Sequence, residues 1–536
     1  MAGTATFVLH THLPYCRLAG RWPHGEEWIH EALLECYLPL LNGFRALSRE
    51  TDRSLGVTIN ITPILAEQLG DPLVKQHFSE YLGERLRRAN SDVARFPAGS
   101  QLRDTALFHV ERFEAVRDLW ETLGGDLLGA FGELEASGHL EVATCAATHG
   151  YLPLLEDDAA VRFQVETGVR THERNFGRPP RSFWLPECAY KPGIERFLEA
   201  AGIKVFFVET HLATGGTARG KALGGMVGPY PPLSASDRRP ADAGPHRGTT
   251  FRPYWVGDSS VAVMARNEQT GLQVWSAAHG YPGDGAYREF HRKDPVSGLH
   301  YHRVTGPGVD LGEKAEYVPS AAAAKAQEHA AHFASLLKRE LYLYESGAGE
   351  HGNLMASYDT ELYGHWWLEG VQWLTHVLRT LSRDPDVALT TADGVIASDP
   401  PVASIELPEG SWGAGGDHRT WMNDQTAWTW PEIRRRQQRA HQLLATNSEL
   451  SRQLARELLL LQSSDWQFLM TTGQANEYAI ERFNSHCARF DAIAGAIEGG
   501  SAGFASELAQ LEHLDNPFAD INPSLFAAPA EGVLSP

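Results

Sequence analysis

Paired cysteines are missing from this sequence: Cys16, Cys36, Cys145, Cys188 and Cys487 are odd in number, scattered, and never in C-x-x-C spacing. That excludes a disulfide framework and a thiolate zinc site, and it fits a reducing compartment. No stretch approaches the roughly 20 apolar residues of a membrane span. The opening "MAGTATFVLHTHLPY" has no basic segment ahead of its short apolar run, so it reads as a strand rather than a signal peptide. A cytoplasmic protein without a membrane partner is expected. Positive charge is scarce too: 47 Lys and Arg against 67 Asp and Glu give −20. Such a surface repels a phosphate backbone, and no basic stripe interleaved with aromatics offsets it, so nucleic acid is not an expected partner. No internal repeat is visible.

What is present is a globular composition, 43% hydrophobic and 21% charged, over 536 residues, too long for one ordinary core. Its 14 Trp, 16 Tyr and 22 Phe form a heavy aromatic load whose flat faces suit sugar rings as well as cores. Short strand-like runs recur, each ending in polar residues: "TFVLHTH", "LGVTINITP", "LEVATCAATHG", "RSFWLPE", "IKVFFVET", "SVAVMARN" and "LMASYDTE". Helical patterns lie between several of them, at 194–201, 320–341 and 366–381, the alternation expected of a parallel sheet with crossover helices. An α/β barrel is the leading fold and a doubly wound sheet the alternative. Residues 66–137 read as a helical insertion between the second and third strands. The Gly-, Pro- and Arg-rich stretch 211–250 is too long for a βα loop and reads as a lid. Strands are expected to stop near 395. Residues 396–520 read as a helical domain, with Thr429 and Glu432 at capping-box spacing and one helical period onward from there. The Pro-rich 521–536 is a tail.

In parallel α/β barrels the reacting groups sit where strands end, and those positions here are rich in His and acids: His10, His12, Asn60, Glu187, Glu209, Arg266, Asn267, Asp359 and Glu361. Two carboxylates from different strands are what glycoside cleavage needs, and Glu187 and Asp359 are the natural pair; a barrel ion pair or a helix cap explains bare strand-end acids equally well. "HTH" places His10 and His12 on one strand face, a spacing that could also bind zinc, as metal-dependent deacetylase barrels do.

Four motifs in order, "HTHLPY", "GHLEVATCAATHGYLPLL" (138–155), "WLPECAY" (184–190) and "SYDTELYGHWW" (357–367), resemble those of glycoside hydrolase family 57, over roughly residues 5–490. With the following "SWGAGGDHRTWMN", the chain is more similar to the family's 1,4-α-glucan branching enzymes than to its amylases. The resemblance implies an incomplete (β/α)7 barrel over 1–395, with the helical domain closing on the cleft. It implies a retaining mechanism without a cofactor or metal, with Glu187 as nucleophile and Asp359 as acid/base. By motif position it implies His10, His12 and His149 on the floor of the donor site. Substrate contacts are implied for Trp28, Arg266, Trp275, Gly283, Trp412, Trp421, Asp465 and Gln474, although core packing is the commoner role of any single Trp. Gly-rich surroundings suggest that Trp412 is exposed. A shielding tyrosine is implied near the tip of the lid, yet the only tyrosine from 191 to 253 is Tyr230, early in the stretch and bracketed by prolines, which points to leakage toward hydrolysis.

The expected partner is an α-1,4-glucan, as donor and acceptor, for a monomer or small homo-oligomer that moves chains to glucose 6-hydroxyls. The alternatives are a 4-α-glucanotransferase or amylase of the same family, then a non-catalytic glucan-binding protein, for which loss of one acid is expected although both are present, then a metal-dependent polysaccharide deacetylase.

Overall fold

Ten strands pair into one curled sheet in a computed structural model that describes residues 2–215, 248–275, 280–500 and 503–527. They are β1 (Gly3–Thr11), β2 (Val57–Ile61), β3 (Leu140–Cys145), β4 (Ser182–Trp184), β5 (Val205–Val208), β6 (Tyr254–Val256), β7 (Ala262–Ala265), β8 (Gly352–Asp359), β9 (Val387–Leu389) and β10 (Ser404–Ile405). The seven expected segments form the parallel run β8-β1-β2-β3-β4-β5-β7. The chain advances in one direction from β1 to β7 and returns beside β1 with β8. The gap between β7 and β8 is crossed by the Asn267 N–H, which donates to the Met355 carbonyl at 2.9 Å. This is a (β/α)7 barrel, not a doubly wound sheet.

β6, β9 and β10, two or three residues long, were not among the expected strands. β6 runs antiparallel to β7, and β10 pairs with β6, so strand structure continues past residue 395. The main strands are buried on both faces, as parallel sheets covered by helices are. On β1, Phe7 and Leu9 pack outward into one apolar cluster, while Val8, on the opposite face, joins a second.

Between β2 and β3 run four helices, Pro63–Gly70, Pro72–Arg95, Gln101–Thr122 and Leu127–Ala136. Asp71, Ser100 and Asp126 cap the last three through side-chain oxygens that accept from first-turn N–H groups. The 429–461 region is two helices rather than one. In Thr429–Leu443 the expected capping box is not made: the Thr429 hydroxyl donates to the Thr426 carbonyl, and Glu432 pairs with Arg435 and Arg436. Ser448 then caps Glu449–Leu461, accepting from Ser451 N–H. These helices and Asn476–Gly499 bury Leu458, Phe483 and Phe490 in the same apolar cluster as Phe206 of β5 and Val263 of β7. Of the 211–250 stretch, only 211–215 and 248–250 are described; Thr210–Thr214 is helical. Among the described residues, no helix is long and apolar enough to cross a membrane.

Candidate active site

The C-terminal ends of the strands open into a cavity of about 760 Å³, a size suited to an oligosaccharide segment. Glu187 and Asp359 both line it, with His10, His12, Trp28, Gly283, Trp412, Asp465 and Gln474.

Register explains the floor. His10 of β1 pairs with Asp359 of β8 on one side and Asn60 of β2 on the other, and Asn60 pairs with Ala143 of β3. These side chains therefore form one row across the barrel mouth. Asn60 Nδ2 donates to the Ala143 carbonyl (3.3 Å), which turns its Oδ1 toward His10 Nδ1 at 2.7 Å. For neutral rings the proton positions then follow: His10 Nδ1 carries hydrogen, His10 Nε2 accepts from His149 Nε2 (3.1 Å), and His149 Nδ1 accepts from the Ser464 hydroxyl (2.9 Å). His10 also lies flat on Trp184 at 4.6 Å.

Glu187 follows β4 on a turn, Pro186–Cys188, with φ 61° and ψ 25°. A non-glycine residue held there costs about 1–3 kcal/mol and persists only where its surroundings over-determine it. They do so here. Trp412 N–H donates to the Glu187 carbonyl at 3.1 Å, the Trp412 indole N–H donates to Glu187 Oε2 at 2.5 Å, and Tyr190 and Gly410 exchange backbone bonds alongside. The 410–416 loop thus aims the carboxylate. Trp412 is only 2% exposed, contrary to the expectation of exposure. The glycines serve a close approach instead: a Cβ at Gly413 would come within 2.6 Å of the Trp421 ring.

Trp421 itself is fully buried, stacked on Tyr151 at 4.3 Å, and is not among the cavity-lining residues. Trp275 is likewise fully buried; its neighbour Trp366, 6.4 Å between ring centroids, reaches the cavity in its place. Arg266 lies behind the wall, paired with Glu209 at 2.5 Å and 5.8 Å from the Trp412 ring. His149 sits beneath His12, rings 3.9 Å apart, 1% exposed. Trp28 stands at the rim, edge-on to Tyr478. Tyr230 lies outside the described residues.

The helical C-terminal region reaches into the site through Asp465, whose carboxylate accepts from Ser463 Oγ and His12 Nε2 (3.0 Å). Burial pulls the His12 pKa down, but Asp465, joined by Glu361 and Glu187, outweighs it and holds the ring above its usual range. His12, His149 and Asp465 offer atoms within 4.8 Å of one another, a geometry that could hold a cation. Each of those His nitrogens is already committed to a protein partner, so the trio fits a hydrogen-bonded floor better than a metal centre.

The 280–318 segment, which has no periodicity to read, adds Arg288, Phe290 and Lys314 to the wall. Arg288 is anchored on Glu35 (3.3 Å), which a π-helical turn, Leu33–Tyr37, turns inward. The Arg288 guanidinium and His365 offset the burial of Glu35 and hold its carboxyl well below the usual range. The same turn delivers Tyr37 to Glu361.

The profile of glycosyl hydrolase family 57 matches residues 6–408, and that of the 1,4-alpha-glucan branching enzyme C-terminal region matches 432–526. A 1,4-alpha-glucan branching enzyme of Thermococcus kodakarensis is 44% identical over 97% of this chain and 78% of its own length. Its crystal structure superposes with a TM-score of 0.90 at 43% identity, over 98% of this chain and 97% of that one. The GH57-type branching enzyme structure from Pyrococcus horikoshii gives 0.88 at 40% identity, with 98% and 97% covered. An α-amylase structure from Thermotoga maritima gives 0.84 at 29% identity, with 99% and 100% covered. A strand-end acid pair in one cavity and a family match across three quarters of the chain agree, and this protein belongs to glycosyl hydrolase family 57.

Proposed function

We propose that this protein is a 1,4-α-glucan branching enzyme. The observation that carries the reading is the meeting of Glu187 and Asp359 in one cavity whose far wall comes from the helical region that matches branching enzymes. Glu187, fixed by Trp412, attacks the anomeric carbon of an α-1,4 linkage while Asp359 gives its proton to the departing 4-oxygen. A covalent glycosyl-enzyme results. Asp359, now a carboxylate, takes the proton of an incoming glucose 6-hydroxyl, whose oxygen displaces Glu187 and closes an α-1,6 branch. No cofactor enters. His10 and His12 pave the floor beneath the sugar, the Asp465 carboxylate beside His12 faces its hydroxyls, and Trp28 and Trp366 offer aromatic faces.

Water in place of the 6-hydroxyl gives hydrolysis, the chemistry named for the Thermotoga relative. Incubation with amylose, with proton NMR to count α-1,6 linkages and a parallel count of new reducing ends, separates the two. Branches with few new reducing ends are expected, unchanged by EDTA. Reducing ends alone would make it an amylase, and activity lost to EDTA would revive a metal-dependent reaction.

A further inference from the structure

The two carboxyls give the cavity two sides. Asp359 protonates the departing glucan oxygen and later takes a proton from the incoming one, so both glucans meet the site from the Asp359 side while the transferred chain stays on Glu187. The 280–318 segment belongs to the Asp359 side. Arg288 N–H donates to Glu369 Oε1 at 3.1 Å and the Arg288 guanidinium donates to the His365 carbonyl, which fastens the segment to the chain just beyond β8. Two residues on, Phe290 is half-buried, lines the cavity and stands edge-on to His365, 5.2 Å between ring centroids. His365 and Trp366 line the same space. We propose that Phe290 is a specificity-determining residue: its ring is the platform on which the acceptor glucan rests, and it sets how often a glucose 6-hydroxyl rather than water meets the glycosyl-enzyme. The inference rests on the branching reading given above.

A platform must be held still. Residues 285–318 fold into a short ribbon in which Glu289 N–H donates to the His302 carbonyl (2.9 Å), Arg303 N–H to the Ala315 carbonyl (2.9 Å) and Val304 N–H to the Tyr287 carbonyl (2.8 Å). The helical insertion pins it from outside. Tyr301 O–H donates to Asp92 at 2.6 Å, Arg95 pairs with Asp294 at 2.8 Å, and the His300 carbonyl accepts from His109 Nε2 at 2.8 Å. Lys314 is held within the ribbon, donating to the Val304 carbonyl at 2.7 Å and paired with Glu289 at 3.3 Å. Phe290 therefore offers the cavity a flat apolar face on a fixed backbone, with few side-chain rotations to lose on binding. The C–H face of a glucose ring matches that surface. A glucose stacked in this way keeps its hydroxyls at the rim, where the 6-hydroxyl can turn toward Asp359.

Counting α-1,6 linkages and new reducing ends together on amylose tests this, because both arise from one glycosyl-enzyme and their ratio does not depend on how fast it forms. Phe290→Ala should lower the ratio of branches to reducing ends roughly 10-fold at low amylose concentration, the loss expected for one aromatic contact. Raising the amylose concentration should bring it back toward the parent value. Phe290→Leu, which fills much of the volume without a flat face, should fall nearly as far, and Phe290→Tyr should keep the parent ratio. A purely structural lesion lowers both counts together and leaves the ratio where it was. With folding checked by circular dichroism, an unchanged ratio in Phe290→Ala overturns the inference, as does a parent-like ratio in Phe290→Leu or a fall that saturating amylose does not reverse. If Phe290→Ala does not fold, Phe290→Leu decides alone. These outcomes leave the branching reading standing, whereas a parent protein that makes reducing ends alone removes that reading and this inference with it.

Discussion

Glu141 and Glu361 occupy opposite ends of the barrel, and burial pushes each up to about 7. Near the start of β3, Glu141 is closed in by three other chain segments. It accepts from Thr58 Oγ1 (2.8 Å), Ser182 Oγ (2.5 Å) and Asp393 N–H (3.1 Å), which ties β2, β3 and β4 to the helix Ala392–Ser398. Glu361 has one clamped oxygen and a place in the cavity wall beside Asp359. A raised carboxyl pKa therefore does not mark a site by itself; access to a cavity and a neighbouring acid does. The bottom of the barrel uses its carboxyl to hold strands together, whereas at the top the carboxyl faces the cavity.

That contrast breaks first at the top. Glu187→Gln and Asp359→Asn should each cut kcat on amylose by roughly 10³-fold or more with little change in Tm; normal turnover in either removes the mechanism. Trp412→Phe keeps an aromatic ring but loses the donor to Glu187, and a fall of roughly 10- to 100-fold in kcat is expected from a hydrogen bond to a charged group. Retention of full activity would mean that Glu187 is aimed by the backbone alone.

At the bottom, Glu141→Gln should leave the kcat-against-pH profile where it is and change stability against pH instead. The sign follows from the folded-state pKa lying above the unfolded one. Glu141 contributes stability that is full below about pH 4.5 and lost as pH rises through about 7, on the order of 3 kcal/mol in all. Thermal melts should therefore show a flatter decline in Tm between pH 5 and 7 for the variant than for the parent. A displaced kcat limb in Glu141→Gln would erase the distinction between the two ends.

Much of this was legible from residue order. Each of the seven strands of the parallel run shows as an apolar run closed by polar residues, because a parallel strand covered on both faces needs side chains that tolerate full burial. The insertion helices show in their period, and the acid pair shows because barrel chemistry gathers where strands end. The tryptophans were harder. Trp412, Trp421 and Trp275 have similar local surroundings, yet one touches Glu187, one lies under Tyr151, and one lies behind Trp366. Nothing within a few residues of an indole tells which side of a loop will be solvent.

The sequence by itself determined the barrel, its helical insertion and the two strand-end carboxyls, since periodicity and turn chemistry act between near neighbours along the chain. Only the tertiary structure decided that Asp465 orients His12 across 453 residues, that a π-helical turn sets Glu35 and Tyr37 behind the wall residues Arg288 and Glu361, and that Glu361, unlike Glu141, lines the cavity with Asp359. Burial and charge coupling depend on distance in space, and distant segments set that distance when they pack.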